Sequence, residues 1–386
     1  MVVRVSKTAF NLRDKLNQLN PPVGSHGSQL MKSADAEESF DLVRAGRKNI
    51  IQNGDQKIWQ RYTTRQSAAG TGLIFISDRW MFEEGCSQLV ATVSRSTDTP
   101  GGEGFQYSAQ INVDTVESTI TSGDFAQYMY FVEGYDMAHL EWGTAYAKPA
   151  TLSFWFKTTV AGHHYVSINS NGGTDTWSTR IHSPTNTWKK HVVKIDPPTS
   201  GTWLDDNRRG IEIRIGLCAS PSVHQSTWNK WYHGGNAYNG FATANSNLVF
   251  TQNNKAWLTG VQLEVGTVAT PFEFRSYGEE LRLCQRYYEG MIMGSGTALL
   301  RTFTNTAGSP TNVSNVNHKY FVEKRATPNW RLEGNATWHP TGTSAMTAYP
   351  SKTECLFQRN DTTHQFLTDG AGDLCGSFSA EFVAES

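Results

Sequence analysis

The densest cluster of residues able to do chemistry lies at 226–235, a segment that reads STWNKWYHGG. Trp228, Trp231, Tyr232 and His233 stand there among Asn, Lys and Gly, and Tyr238 and Phe241 follow. A sugar has apolar C–H faces and polar edges. An indole stacks on the face while Asn, Lys and Asp side chains reach the hydroxyls. The pattern predicts a glycan-binding surface made of Trp228, Trp231, Tyr232, His233 and Tyr238. A second reading stands beside it: the same rings plug the end of the fold or a subunit interface, where aromatics are enriched. Trp177, Trp203 with Asp205 and Asp206, and the His163–His164 pair fall on other segments read as loops.

Catalysis has weaker footing. Glycoside hydrolysis needs two carboxyl groups roughly 5–10 Å apart. Glu83 with Glu84, Glu133 with Asp136, and Asp205 with Asp206 are close in sequence, but adjacent strand residues point to opposite faces. The chain carries no G-x-S-x-G, H-E-x-x-H or phosphate-loop motif. His163, His164, His182, His191, His224 and His233 show no metal-ligand spacing. The repetitive pattern of a long β-helix is absent too. The expectation is a chain that is not an enzyme and requires no cofactor.

Composition bounds what can position these groups. A length of 386 residues suggests two or three domains. Hydrophobic residues make up 38% and charged residues 18%, with aromatics at 12%. Few charges, many β-formers and abundant turn residues favour an all-β protein. A net charge of -1 gives no footprint for nucleic acid or an anionic membrane. No apolar run is long enough for a membrane-spanning helix, and MVVRVSKTAF has no apolar core of a secretory signal. Cys86, Cys218, Cys284, Cys355 and Cys375 are odd in number and widely spaced. They are expected as buried free thiols made in a reducing cytoplasm, with a Cys355–Cys375 bridge left open.

Along the chain, residues 1–48 read as a short helical arm. Ala9, Leu12, Leu16 and Leu19 form a helical stripe ended by Pro21, Pro22 and Gly24. Ser33 caps a second helix over 33–45, with Gly46 closing it. The arm is either a flexible tail or a docking and trimerising element. Residues 49–276 read as two packed antiparallel sheets. Strands are expected at 72–82, 88–93, 105–113, 127–132, 152–157, 188–195 and 211–216. The last alternates most cleanly, with three isoleucines inward and Glu212 and Arg214 outward. Long loops are expected at 169–175, 197–209 and 220–244. On the closing strand, 257–266, Val261, Leu263 and Val265 are expected in the core, with Leu258, Gln262 and Glu264 on the other face. A connecting helix is expected over 277–289. A small β domain over 290–386 follows, with strands at 320–323, 330–333, 344–348, 354–358 and 378–383. At that size it is marginal alone, which favours self-association.

RKNIIQNGDQKIWQR, then SDRWMF, and later WLTGVQLEVGTVATPFEFRSYGEELRLCQRYYE resemble the jelly-roll domain of bacteriophage tail-fibre and other virion structural proteins, of the cyanophage type. The domain is similar to carbohydrate-binding modules. The resemblance covers 49–288 and extends loosely to both ends. It implies a mainly β, jelly-roll sandwich in a virion protein made in the host cytoplasm. It implies a trimer, residues 1–48 attached to other virion proteins, and a host surface glycan as ligand. A head-decoration or collar fibre is the alternative, and a glycan-degrading tailspike a second. Related jelly rolls hold a structural calcium near the first and last strands. Asp55, after Asn53-Gly54, and Glu264 stand where such ligands would fall. A turn aspartate and a surface glutamate are the competing reading.

Overall fold

A computed structural model describes residues 48–70, 72–220, 224–225, 228–233, 241–242, 248–293, 302–304, 312–333, 347–361 and 374–379. The expected arm over 1–48, Lys48 apart, lies outside the described residues, as does Tyr238. Residues 49–386 form one compact unit.

The sandwich strands are β1 (Thr64–Gln66), β2 (Leu73–Phe75), β3 (Trp80–Glu84), β4 (Val90–Ser96), β5 (Ser108–Thr115), β6 (Phe125–Glu133), β7 (Ala150–Thr158) and β8 (Gly162–Ser170). They continue with β9 (Asp175–Ser183), β10 (Lys189–Ile195), β11 (Arg209–Ala219), β12 (His224–Gln225), β13 (Lys230–His233), β14 (Phe241–Ala242) and β15 (Lys255–Val265). Six strands form one sheet in the order β1-β4-β5-β15-β7-β10, and seven form the other as β13-β9-β8-β11-β6-β3-β2. The chain changes sheet between β1 and β2, β3 and β4, β5 and β6, β6 and β7, β7 and β8, β9 and β10, β10 and β11, and again between β13 and β15. That crossing pattern is the jelly-roll sandwich expected from the sequence. The short β12 and β14 pair with each other in parallel, and β14 lies against β8 and β9.

One core fills the space between the sheets. Leu152, Phe154 and Phe156 face it from β7, and Ile211, Ile213 and Ile215 from β11. The outward side of β11 is not a solvated face. Glu212 is buried and pairs with Arg209 at 2.7 Å and Arg214 at 2.5 Å. On the same outer side, Met81, Met129, Phe131 and Tyr287 form a second apolar cluster.

Other expectations are revised by local geometry. The run over 72–82 is two strands, because Ser77–Asp78–Arg79 turns the chain and Arg79 sits at φ 73°. In β15 a bulge falls between Thr259 and Gln262, with Gly260 at φ 62°. The extra residue puts both Leu258 and Val261 in the core. Val265 is only half-buried. Gln262 and Glu264 are buried too, because the 270–273 segment bonds to them. Phe272 and Phe274 close on Phe105, with ring centroids 4.9–5.4 Å apart.

The opening stretch is not a strand but a loop bolted to β15. Asn49 Nδ2 donates to the Val261 carbonyl at 3.1 Å, and its Oδ1 accepts from the Leu263 amide. Gly54 is required there, since a Cβ would overlap the Val261 carbonyl. A short helix, α1 (Gly134–Met137), follows β6, and a longer one, α2 (Tyr277–Gln285), follows β15. Ser276 caps α2 by accepting from the Glu279 amide. The helix stops at Gln285, short of the expected 289, because Tyr288 opens a strand.

That strand, β16 (Tyr288–Met293), leads into β17 (Thr302–Thr304), β18 (Asn312–Lys319), β19 (Asn329–Glu333), β20 (Thr347–Pro350), β21 (Glu354–Asp361) and β22 (Leu374–Ser379). They form two sheets, β16-β22-β19 and β17-β18-β21-β20. The strand expected at 320–323 is displaced: β18 ends at Lys319, and residues 320–324 turn inward to bury Lys324. Its Nζ donates to the Gln285 carbonyl and to Glu289 Oε2 at 2.7 and 2.6 Å. Cys86, Cys218, Cys284 and Cys355 are free and buried; no bridge joins Cys355 to Cys375.

Candidate functional site

The aromatic segment begins beside the open edge of the seven-stranded sheet. There β13 pairs antiparallel with β9, Trp231 opposite Trp177 and His233 opposite Asp175. Side chains alternate between faces along a strand. Trp177 is buried in the core, so Trp231 and His233 share the inner side. Lys230 and Tyr232 share the outer one, and Trp228 joins them by packing its ring on exposed Arg180 at 4.5 Å. The single surface expected from the sequence is therefore divided between two sides of one sheet.

On the inner side Trp231 completes a three-indole cluster. Trp142, Trp203 and Trp231 stand edge to face, with centroids 5.0–5.4 Å apart. Each indole N–H donates to a backbone carbonyl: Trp142 to Lys148, Trp203 to Ser200 and Trp231 to Asp196. The cluster thus ties down the 196–208 loop. Of the two readings, the plug at the end of the fold describes Trp231, which packs on Trp142 and Trp203 against the core of its own sandwich.

Beside the indoles three polar side chains meet. His233 Nδ1 lies 2.6 Å from Asp175 Oδ1, and His233 Nε2 lies 3.2 Å from Ser200 Oγ. Asp175 is buried, and its Oδ2 accepts from Ser170 Oγ at 3.3 Å and Thr174 Oγ1 at 3.1 Å. Gly201 covers it: the residue sits at φ 95°, and a Cβ there would stand 2.9–3.0 Å from the Asp175 carboxylate. Ser200 is exposed, and the His233 side chain is 42% exposed. Sequence reading singled out His233 alone. Its partners lie 58 and 33 residues away, so no local motif announces them; only the β9–β13 pairing does.

The outer side is a polar platform. His163 on β8 and His182 on β9 pack ring against ring at 5.1 Å, next to Arg180. Tyr165 is fully buried, lies across Gly216 and donates its hydroxyl to Gln127 Oε1 at 2.8 Å. Gln127 and Glu83 are bonded in turn, and burial pushes the Glu83 carboxyl above its ordinary range. Ser167 Oγ is buried with no partner among the described residues. Trp228 and Tyr232, half-buried, form the aromatic border of this platform.

Two groups expected on loops are not there. His164 is on β8, fully buried, with Nδ1 3.0 Å from the Gly216 carbonyl and its ring against Phe156. Trp177 is core. Both fall on strands, β8 and β9, and not on loops.

The calcium pair has other partners. Asp55 binds Lys57 Nζ at 3.1 Å, and burial raises its pKa against the pull of Lys57. Glu264 accepts from Gln262 Nε2, the Thr270 amide and the Thr270 hydroxyl at 2.7–3.0 Å. Among the described residues no group of three or more His, Cys, Asp or Glu is gathered as a metal site.

No family model matches the chain, and no curated protein matches it. Among solved structures it is similar to the enzymatically active domain of tailspike protein 4 of bacteriophage CBA120, at 14% identity and a TM-score of 0.31. That match covers 56% of this chain and 21% of the other, so the chain spans about a fifth of that protein. TmCBM61 in complex with beta-1,4-galactotriose matches at 11% identity and a TM-score of 0.27, covering 57% of this chain and all of the other. The family 11 carbohydrate-binding module of a Clostridium thermocellum cellulase matches at 12% and 0.27, over 53% and 99%. At such scores these likenesses say nothing of what the chain binds.

Proposed function

We propose that the chain is a bacteriophage virion structural protein, a trimeric tail fibre or appendage that presents its jelly roll to a host surface glycan. The observation that carries the glycan reading is the outer edge of the seven-stranded sheet. Tyr232 stands there on β13 and Trp228 just before it, with Arg180, Lys230, His163 and His182 near them. The rings supply stacking, and the cations and imidazoles supply hydrogen bonds to hydroxyls. The virion location and the trimer rest on the sequence resemblance over 49–288. A shallow sugar site is weak alone, and three copies on one fibre raise the effective concentration of the second and third contacts.

The test is retention of purified protein on host-cell polysaccharide, with native mass spectrometry on the same sample. Wild type is expected to be retained as a trimer, and Trp228→Ala with Tyr232→Ala to lose retention at least tenfold. A monomer at micromolar concentration sinks the fibre reading. Undiminished retention of the double variant sinks the assigned surface.

A further inference from the structure

Asp175, His233 and Ser200 come from three separate segments: the start of β9, the end of β13 and the 196–208 loop. We propose that they form a nucleophilic triad that hydrolyses carboxylic esters carried on saccharide hydroxyls. The saccharide half of this assignment rests on the glycan reading above; the ester chemistry stands apart from it.

The geometry gives each residue one role. With its proton on Nδ1, His233 donates to Asp175 and leaves Nε2 to accept from the Ser200 hydroxyl, so a single tautomer satisfies both contacts. A nucleophile bonded to a base, and a base oriented by a third group, is the signature of an activated serine. Asp175 is a positioning residue. The Ser170 and Thr174 hydroxyls fix its second oxygen, and Gly201 roofs it against water.

The loop that carries Ser200 is held at three points. Its Pro198 carbonyl accepts from the Gly143 amide at 2.8 Å, its Ser200 carbonyl from Trp203 and its Asp196 carbonyl from Trp231. These bonds pin the backbone before the nucleophile and at its own carbonyl. The Gly201 and Thr202 amides, directly after Ser200, donate to no described residue. An oxyanion requires such donors. The half-buried Trp203 and Trp231 rings beside them give an apolar wall for an acyl group. Ser200 and His233 are open to solvent, which suits a substituent projecting from a polymer.

In the first step Ser200 Oγ adds to the ester carbonyl carbon, and its proton passes to His233 Nε2. The bond from that carbon to the sugar oxygen then breaks, and the sugar oxygen takes the proton. Water loses a proton to Nε2 and adds to the acyl-serine. Ser200 leaves with that proton, and a carboxylic acid is released. Ester and water become acid and alcohol, with no change of oxidation state.

The test uses the full chain, p-nitrophenyl acetate, and a fluorophosphonate read by peptide mass spectrometry. Wild type is expected to show a burst of p-nitrophenolate and one phosphonyl adduct on the Ser200 peptide. Ser200→Ala should lose both while keeping its circular dichroism and thermal midpoint. His233→Gln should slow turnover about 10²–10⁴-fold. Asp175→Asn should lower kcat with KM unchanged, a split that loss of structure would not produce. Ser200→Cys should regain an acyl-enzyme if the position is nucleophilic. A wild type with neither adduct nor hydrolysis above buffer overturns the triad. So does Ser200→Ala hydrolysing at the wild-type rate, since His233 alone would then be the nucleophile. Acetate release from an acetylated polysaccharide, lost in Ser200→Ala with retention kept, supports the saccharide half. An adduct on Ser200 without retention on any host polysaccharide overturns that half and leaves the ester chemistry standing.

Discussion

Trp228 and Trp231 are three residues apart and have different surroundings. Trp228 lies on Arg180 at the outer side, whereas Trp231 packs on Trp142 and Trp203 at the end of the core. Their replacement should separate accordingly. Trp228→Ala is expected to weaken glycan retention about tenfold with an unchanged unfolding midpoint. Trp231→Ala is expected to cost about 2–4 kcal/mol of stability, read by urea denaturation. A shift of the midpoint in the first variant, or none in the second, contradicts the division. Gly216 offers a sharper residue-level test. Tyr165 lies across it, and a Cβ would overlap the ring, so Gly216→Ala should cost at least about 1–3 kcal/mol. The chemistry of 226–235 was visible in residue types. Its division was not, because the sequence reads as one loop, and only the pairing of β13 with β9 reveals the alternation.

Among the elements, β7, β10 and β11 were legible because each puts a clean apolar face on one core. β8 and β9 were not. GHHYVSINS and DTWSTRIHS carry more polar residues than apolar ones, and several of the polar ones, Ser167, Asn169, Thr176 and Ser178, are buried instead of solvated. β15 was legible as a strand, but its phase was not, since the Gly260 bulge reverses the side expected for Leu258. The junction after α2 was read as helix because the cysteine and tyrosine spacings continue. There Tyr287 instead donates its hydroxyl to Glu133, and Arg286 pairs with the same carboxylate. Just beyond, Lys324 and Glu289 form a buried pair, 0% and 1% exposed at the side chain. Removing one partner strands the other charge, so Glu289→Ala should cost about 3–5 kcal/mol. Replacing both with apolar residues of similar volume should recover most of that. A double-variant loss equal to the sum of the two single losses would show that the pair is not coupled.

For the whole molecule, two buried imidazoles make a contribution to stability that acid removes. Burial pushes His164 down to about 4 and His191 down to about 3, and both rings pack on phenylalanines of β7 as neutral groups. The unfolded chain takes up their protons near pH 6.5, before the folded chain does. Their contribution to stability is therefore full above that pH and falls as pH drops. The His164 contribution, on the order of 3 kcal/mol, should be gone near pH 4. Urea midpoints at pH 7, 5.5 and 4 measure the slope, and His164→Gln should flatten it. The four thiols described as free give the same unit a set of clocks. Cys218 lies in the core between the sheets, Cys284 on the buried side of α2 and Cys355 on β21. Burial pushes the Cys284 and Cys355 thiols upward, the latter to about 11, so a maleimide reaches them when their surroundings open. Pulse labelling read peptide by peptide would time each opening on the untouched chain. Alkylation of Cys355 ahead of Cys218 would mean that the C-terminal sheets breathe while the sandwich stays shut.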